Sequence, residues 1–287
     1  MTTPFPYKAI FKNPFSEGNL RLLWWIAAGW FLIWALVGIF VITLDLDVPG
    51  GGSADFLFLI LASVVIFLET LRLQGWKWSM GSFLWIAVFS GLVEYIGATT
   101  GWPFGNYTYT PAFGPQLVGI LPLSIPLAWW VVIMPLYGLA RSRARLGPVS
   151  TWVLIPFFVA SSAVWVDLLL EPVAWLKRGY WLWEATGLYY GVPSQNFAGW
   201  FGTAAILTHG LLLAEVLTGK KILRPTPFSP RALTVLVVVL VTFALGALVG
   251  GYWLGALFGV LLIIFLGGSV LFPVPVSPVE ESPETCK

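Results

Sequence analysis

The chain has 287 residues, of which 58% are hydrophobic and 10% charged, and its mean hydropathy is +0.87; an average soluble domain carries roughly 25% charged residues, so an ordinary water-soluble surface is excluded. One His and one Cys beside 17 Trp, 21 Pro and 30 Gly leave too few ligands for a histidine-box di-iron centre, a bis-His haem or a Cys-rich zinc or iron–sulfur site, and Cys286 has no partner for an intrachain disulfide. The formal charge of +2 carries little information until its distribution along the chain is read.

A crossing of the roughly 30 Å hydrocarbon core needs about 20 apolar residues. Runs of that length are found at 20–44, 54–73, 80–99, 119–140, 150–171, 196–218, 231–249 and 252–272. The predicted fold is therefore all-α: a polytopic integral membrane helical bundle of eight spans, or seven if Gly250-Gly251 does not separate the last two. Ahead of it lies an N-terminal segment, 1–19. The first span is too long, and its flank too polar, for a cleaved signal peptide. The single transmembrane helical domain covers 20–272. The tail 273–287 (PVPVSPVEESPETCK) is rich in Pro, Ser and Glu, a composition that cannot bury apolar surface and is expected to stay disordered.

Lys and Arg concentrate in alternate loops. Lys8, Lys12 and Arg21 lie before or at the start of span 1, Arg72 and Lys77 at the junction of spans 2 and 3, Arg141, Arg143 and Arg145 at that of spans 4 and 5, and Lys220, Lys221, Arg224 and Arg231 at that of spans 6 and 7. With Lys287, 13 of the 15 basic residues share one side, which the positive-inside rule makes cytoplasmic together with both termini. Only Lys177 and Arg178 fall on the outer side, where the first loop is acidic (Asp45, Asp47 and Asp55).

Ionisable residues within spans cost about 2.5–3.5 kcal/mol each and are functional candidates for that reason. Glu94 lies in the outer part of span 3. Asp167 and Glu171 lie in the outer part of span 5, four residues apart and so on one helix face, where two carboxyls cannot both ionise comfortably. One is expected to hold its proton, as a general acid must. The bland alternative is hydrogen bonding between helices. Glu69 and Glu215 sit near the cytoplasmic ends, within reach of Arg72, Lys220 or Lys221, and are read as structural. His209, the one histidine, is near the middle of span 6 and about 220° around that helix from Asn196. Glycines 246, 250, 251, 255 and 259 suit close helix packing, within the monomer or in a homodimer.

Two outer connections are long and aromatic: 100–119 (TGWPFGNYTYTPAFGPQLVG) and 172–196 (PVAWLKRGYWLWEATGLYYGVPSQN). Both carry a Trp, a Tyr-rich stretch and then a Pro before the next span, a hint of a divergent parallel repeat of spans 3/4 and 5/6. An interfacial belt accounts for part of this aromatic content. The density exceeds a simple belt and suits a cleft for a long hydrophobic ligand. No nucleotide-binding glycine motif is present, no span has a central Lys for a retinal Schiff base, and no Asp-rich site for a diphosphate stands out.

The segments FGNYTYTPAFGP (104–115), ILPLSIPLAWW (120–130), DLLLEPVA (167–174) and GYWLWEATGLYYGVPSQNFAGW (179–200) resemble the integral-membrane carotenoid biosynthesis proteins, in particular the CruF-type carotenoid 1,2-hydratases and related bisanhydrobacterioruberin hydratases. The resemblance runs over roughly 55–270 and departs at Glu171-Pro172, where Asp-Pro is expected. It implies addition of water to the terminal C1=C2 bond of an acyclic ψ end group, as in lycopene or γ-carotene, without a cofactor or metal, in the cell membrane. On that reading Asp167 and Glu171 supply the proton, and Glu94, Tyr107 or Asn196 positions the water. Trp102, Trp181, Trp183, Tyr190 and Trp200 stabilise a cation, while Tyr109, Trp129 and His209 complete the substrate-binding set. The expected partners are the carotenoid and membrane lipid, with no nucleic acid; a homodimer or association with other carotenoid enzymes is compatible with them. A non-catalytic carotenoid-binding subunit and a small-molecule or ion transporter are the alternative functions.

Overall fold

The computed structural model describes residues 16–46, 51–143, 147–184, 186–220, 226 and 229–271. The tail at 273–287 and most of the segment 1–19 lie outside the described residues. Among the described residues eight long apolar helices form the bundle: α1 (Glu17–Thr43), α2 (Gly51–Gln74), α3 (Trp76–Thr100), α4 (Ser124–Arg143), α5 (Pro148–Glu171), α6 (Ser194–Leu217), α7 (Pro230–Val249) and α8 (Trp253–Leu271). The last two are separate elements. Gly251, at φ +75°, donates its N–H to the Leu248 carbonyl and ends α7 in a left-handed turn that glycine adopts without strain.

Helix ends follow local chemistry. Ser16 caps α1 by accepting from the Asn19 N–H, and Ser229 does the same for Ala232 ahead of Pro230, the first residue of α7. The fourth helix begins at Ser124 rather than near 119. Gln116–Leu117 (β2) and Leu121–Pro122 (β3) pair as a tight hairpin, with positive φ at Val118 and Gly119, the central residues of the turn closed by the Ile120 N–H on the Leu117 carbonyl. Its apolar residues had lengthened the span expected from hydropathy.

The centre of the bundle is α4, which buries 72% of its spanning residues against 17% for the peripheral α1. The glycines of α7 and α8 seat these helices within the monomer. A Cβ on Gly246 would stand 2.6 Å from Ile42, one on Gly255 2.9 Å from Pro172, and one on Gly259 2.7 Å from Leu169.

Polar ties close both ends. On the basic side Glu69 meets Arg72 at 2.7 Å. Glu215 pairs at 2.7 Å with Arg141 on α4, both side chains fully buried, rather than with Lys220, which bonds Gln74 and lies over the Trp78 ring. On the outer side Lys177 pairs with Asp45 and Arg178 with Asp55. The two basic residues that break the positive-inside pattern are thus neutralised by the acidic first loop.

Candidate active site

The two aromatic outer connections meet as one ribbon. Tyr107–Tyr109 (β1) pairs antiparallel with Trp181–Trp183 (β4), Tyr107 opposite Trp183 and Tyr109 opposite Trp181. Because side chains alternate along a strand, these four rings share one face, and their hydrogen bonds show that it is the bundle side. Leu182, between the two Trp residues, is exposed.

Beneath the ribbon lie three buried carboxyls. Glu94 on α3 accepts from the Tyr107 and Tyr109 hydroxyls at Oε2 (2.9 and 2.7 Å) and from Trp129 Nε1 at Oε1 (3.0 Å). Glu171 on α5 accepts from Trp181 and Trp183 Nε1 at Oε2 (3.2 and 3.1 Å) and from Asn196 Nδ2 at Oε1 (2.9 Å). The same amide donates to Asp167 Oδ2 at 2.7 Å, while Asp167 Oδ1 is buried without a hydrogen-bond partner. Burial, reinforced by the Glu94 carboxyl, pushes both tyrosine hydroxyls above their ordinary pKa, so they remain protonated.

Local sequence fixes these positions. Phe104 wedges between α3 and α6 because Gly97 and Gly199 leave room for it; a Cβ there would stand 2.8 and 2.6 Å from its ring. After Glu171 the helix does not stop at Pro172 but widens into a π-helical turn over Pro172–Lys177. Proline has no N–H to give the carbonyl four residues back, and that carbonyl, Leu168, accepts from the Tyr189 hydroxyl instead. The turn delivers the chain to β4 and its two tryptophans.

Two cavities share Glu94 in their linings. The larger, about 260 Å3, is almost wholly apolar and lies between α1, α2, α4, α5 and α7, with Trp129, Trp181, Trp200, Arg178, Asp55 and Tyr180 in its lining. The smaller, about 30 Å3, is bounded by Glu94, Tyr107, Tyr109, Glu171, Asn196 and tryptophan rings. A water needs about 10–15 Å3 and two or more polar partners, so this pocket suits one or two. Glu94 lines both cavities, Glu171 only the smaller and Asp167 neither. Trp129 stacks on Trp200 at 4.4 Å between ring centres. Among the described residues no three His, Cys, Asp or Glu side chains converge as a metal centre requires.

Ten of the thirteen residues singled out from sequence meet here: Glu94, Asp167, Glu171, Tyr107, Tyr109, Trp129, Trp181, Trp183, Asn196 and Trp200. Three do not. Trp102 is 67% exposed beyond the end of α3, as an interfacial ring is. Tyr190 packs on Tyr252 and accepts the Leu254 N–H at the start of α8. His209 is on the exposed side of α6, bonding its own helix at Ala205 and stacking on Trp152. Sequence reasoning missed Trp34, Phe58, Phe113 and Tyr180, which line the larger cavity. Trp34 and Phe58 sit in spans that read as uniformly apolar and Phe113 and Tyr180 among the many rings of the outer connections; the one available signal was the pair of outer cations, Lys177 and Arg178, which pair with Asp45 and Asp55.

Residues 54–266 match the family model described as carotenoid biosynthesis protein, which covers most of the chain, including every helix except α1. The chain belongs to this family. It is also similar to bisanhydrobacterioruberin hydratase of Haloarcula japonica, 35% identical over 124 residues. That match spans 42% of this chain and 41% of the relative, so the chain aligns with less than half of the relative's length. No solved structure matches the chain.

Proposed function

We propose that this membrane protein is a carotenoid hydratase that adds water by acid catalysis across the terminal C1=C2 double bond of an acyclic ψ end group, of the lycopene or γ-carotene kind, in the cell membrane and without a cofactor. The observation that carries the reading is the position of Glu94: one buried carboxyl lines both an apolar cleft suited to an isoprenoid end and a water-sized polar pocket. The hydratase named among its relatives supports the same chemistry.

The hydrogen bonds favour a division of labour. All three partners of Glu171 are N–H groups, which can only donate, and donors to a carboxyl favour its ionised form. The Oε2 partners of Glu94 are two hydroxyls, which can also accept, so Glu94 can hold a proton without orphaning a donor. Glu94 is therefore the acid and Glu171 the base, which reverses the roles suggested by the sequence. Glu94 gives its proton to C2, and the C1=C2 π electrons form the new C–H bond. The tertiary cation left at C1 rests against Trp129, Trp181 and Trp200, whose π faces contribute about 2 kcal/mol or more in a dry site. A water in the small pocket, held by Tyr107 and Asn196, attacks C1 and loses a proton to Glu171. The next water returns that proton to Glu94. Asp167 shares the amide of Asn196 and positions it.

The test is expression in a bacterium that accumulates lycopene and no other carotenoid, with pigments resolved by chromatography and mass spectrometry. The expected product is heavier by one or two waters with an unchanged chromophore. Unaltered pigment despite verified membrane expression, with γ-carotene and a C50 precursor also unaltered, would overturn the reading.

A further inference from the structure

The large cavity is shorter than its proposed substrate. Its lining runs from Trp34 to Ile42 on α1, from Val166 on α5 to Ala174 in the π-helical turn that follows, and from Leu236 to Phe243 on α7, which at 1.5 Å per residue of α-helix is about 10–12 Å along α1 and α7. A C40 polyene is about as long as the roughly 30 Å hydrocarbon core. A volume of about 260 Å3 also falls below the roughly 300–1,000 Å3 typical of pockets that enclose a drug-sized ligand. The remainder of such a chain has to lie elsewhere.

The thin wall of this cavity is α1. Trp34, Val37, Gly38, Val41 and Ile42 face the cavity at the i, i+3, i+4, i+7, i+8 spacing of one helix face. Yet Val37 is 47% exposed, and Trp34, Gly38 and Val41 are only partly covered. A Cβ built on Gly38 would have no atom within 4 Å, so no side chain fills the space in front of it and the partly exposed Val37 and Val41 flank it on this face. The opposite wall is sealed by α4, with Trp129 and Val131 buried.

We infer that a linear polyene enters end-first and sideways from the bilayer, across the outer half of α1 at Val37, Gly38 and Val41, and that only one end group is engulfed while the rest of the chain stays in lipid. This rests on the hydratase reading for its chemistry but not for its geometry. The site then sees one end at a time and does not sense the other. A polyene with two ψ ends is processed by release and rebinding, so the singly hydrated product accumulates before the doubly hydrated one. A polyene whose far end is cyclised is hydrated at about half the rate, the statistical factor for one end instead of two.

The experiment uses the full chain in lipid nanodiscs with lycopene and γ-carotene as probes, and reads both the carotenoid retained per protein and the order of products. Gly38→Trp is expected to lower retention and hydration at least tenfold, whereas Gly29→Trp, on the same helix outside the cavity and likewise with open space around it, leaves both within twofold. Should Gly38→Trp fail to fold, Gly38→Leu and the wild-type product order take its place. Wild-type retention and rate in the plugged variants, doubly hydrated product from the first time points, or rejection of γ-carotene would each overturn the inference. No hydration in any protein, with retention still lost in Gly38→Trp, would leave the portal standing and remove the hydratase reading instead.

Discussion

Glu94 on α3 and Glu171 on α5 face one small pocket, and each presents Oε2 to two aromatic donors two residues apart on one strand of the same ribbon. Their Oε1 atoms are held in parallel fashion from the following helices, by Trp129 on α4 and Asn196 on α6. The arrangement is alike and the chemistry is not, since tyrosine hydroxyls can accept a hydrogen bond as well as donate one and indole N–H groups can only donate.

That difference makes the carboxyls separable by mutation. Glu94→Gln and Glu171→Gln are each expected to lower hydration by 10²–10⁴-fold, the usual contribution of a general acid or base. Asp167→Asn, which removes no group that lines a cavity, is expected to lower it about tenfold by loosening Asn196. The check is product formation by purified variants in nanodiscs, with carotenoid retention as the measure of an intact cleft. Retained pigment with lost turnover is the expected pattern for the two glutamates; a Glu94→Gln protein working at more than a tenth of the wild-type rate would remove Glu94 as the acid.

Trp200 tests the cation. If its π face stabilises positive charge at C1 by about 2 kcal/mol, Trp200→Leu should lower the rate about 30-fold and Trp200→Phe by much less, because the phenyl ring keeps most of the interaction. Equal losses in the two variants would mean that Trp200 contributes shape alone.

Much of this site was legible in the sequence because charge in an apolar span is costly and therefore conspicuous. Glu94, Asp167 and Glu171 stood out for that reason, and the eight spans followed from hydropathy and the placement of Lys and Arg. What sequence could not supply was the partnership between distant segments. Nothing in either aromatic loop alone says that Tyr107 pairs with Trp183. Walls built by α1, α2 and α7 were invisible because their cavity-lining residues are as apolar as their lipid-facing ones. Choosing residues by type also gathered Trp102, Tyr190 and His209, which belong to the interface, the α8 contact and an exposed face of α6.

The Arg141–Glu215 pair sets stability at the other end of the bundle. Both side chains are fully buried, so removing one partner leaves an uncompensated charge that costs about 3–5 kcal/mol. Arg141→Met is expected to lower the melting temperature in detergent sharply, and Arg141→Met with Glu215→Leu to recover most of the loss. A double variant no better than the single one would show that the pair contributes more than its own neutralisation.

Packing of α8 on α5 holds Glu171 in place. Gly259→Leu has to displace Leu169, whose side chain lies 2.7 Å from the added Cβ, and a rigid interior turns such overpacking into a shift of the helix costing about 1–3 kcal/mol. Both stability and turnover are expected to fall. Gly267→Leu, with open space around it, should change neither. If Gly259→Leu were destabilised with a normal rate, α5 would be held by other contacts.

Lys220 gives a pH dependence whose sign can be worked out. Burial pushes its ammonium down to about 8, whereas in the unfolded chain it titrates near 10.4. Below about pH 8 both states carry the proton and the burial penalty is constant. Between about 8 and 10.4 the unfolded state binds a proton that the folded state does not, so stability attributable to this group rises with pH. Opposing this, the ammonium lies 3.5 Å from the Trp78 ring centre and bonds Gln74 at 2.9 Å, and both contacts favour the charged form. The comparison that isolates the group is wild type against Lys220→Met, melted across pH 7–10. The melting temperature of the wild type is expected to climb relative to the variant above pH 8; a difference that stays flat would mean that the tryptophan face compensates the burial.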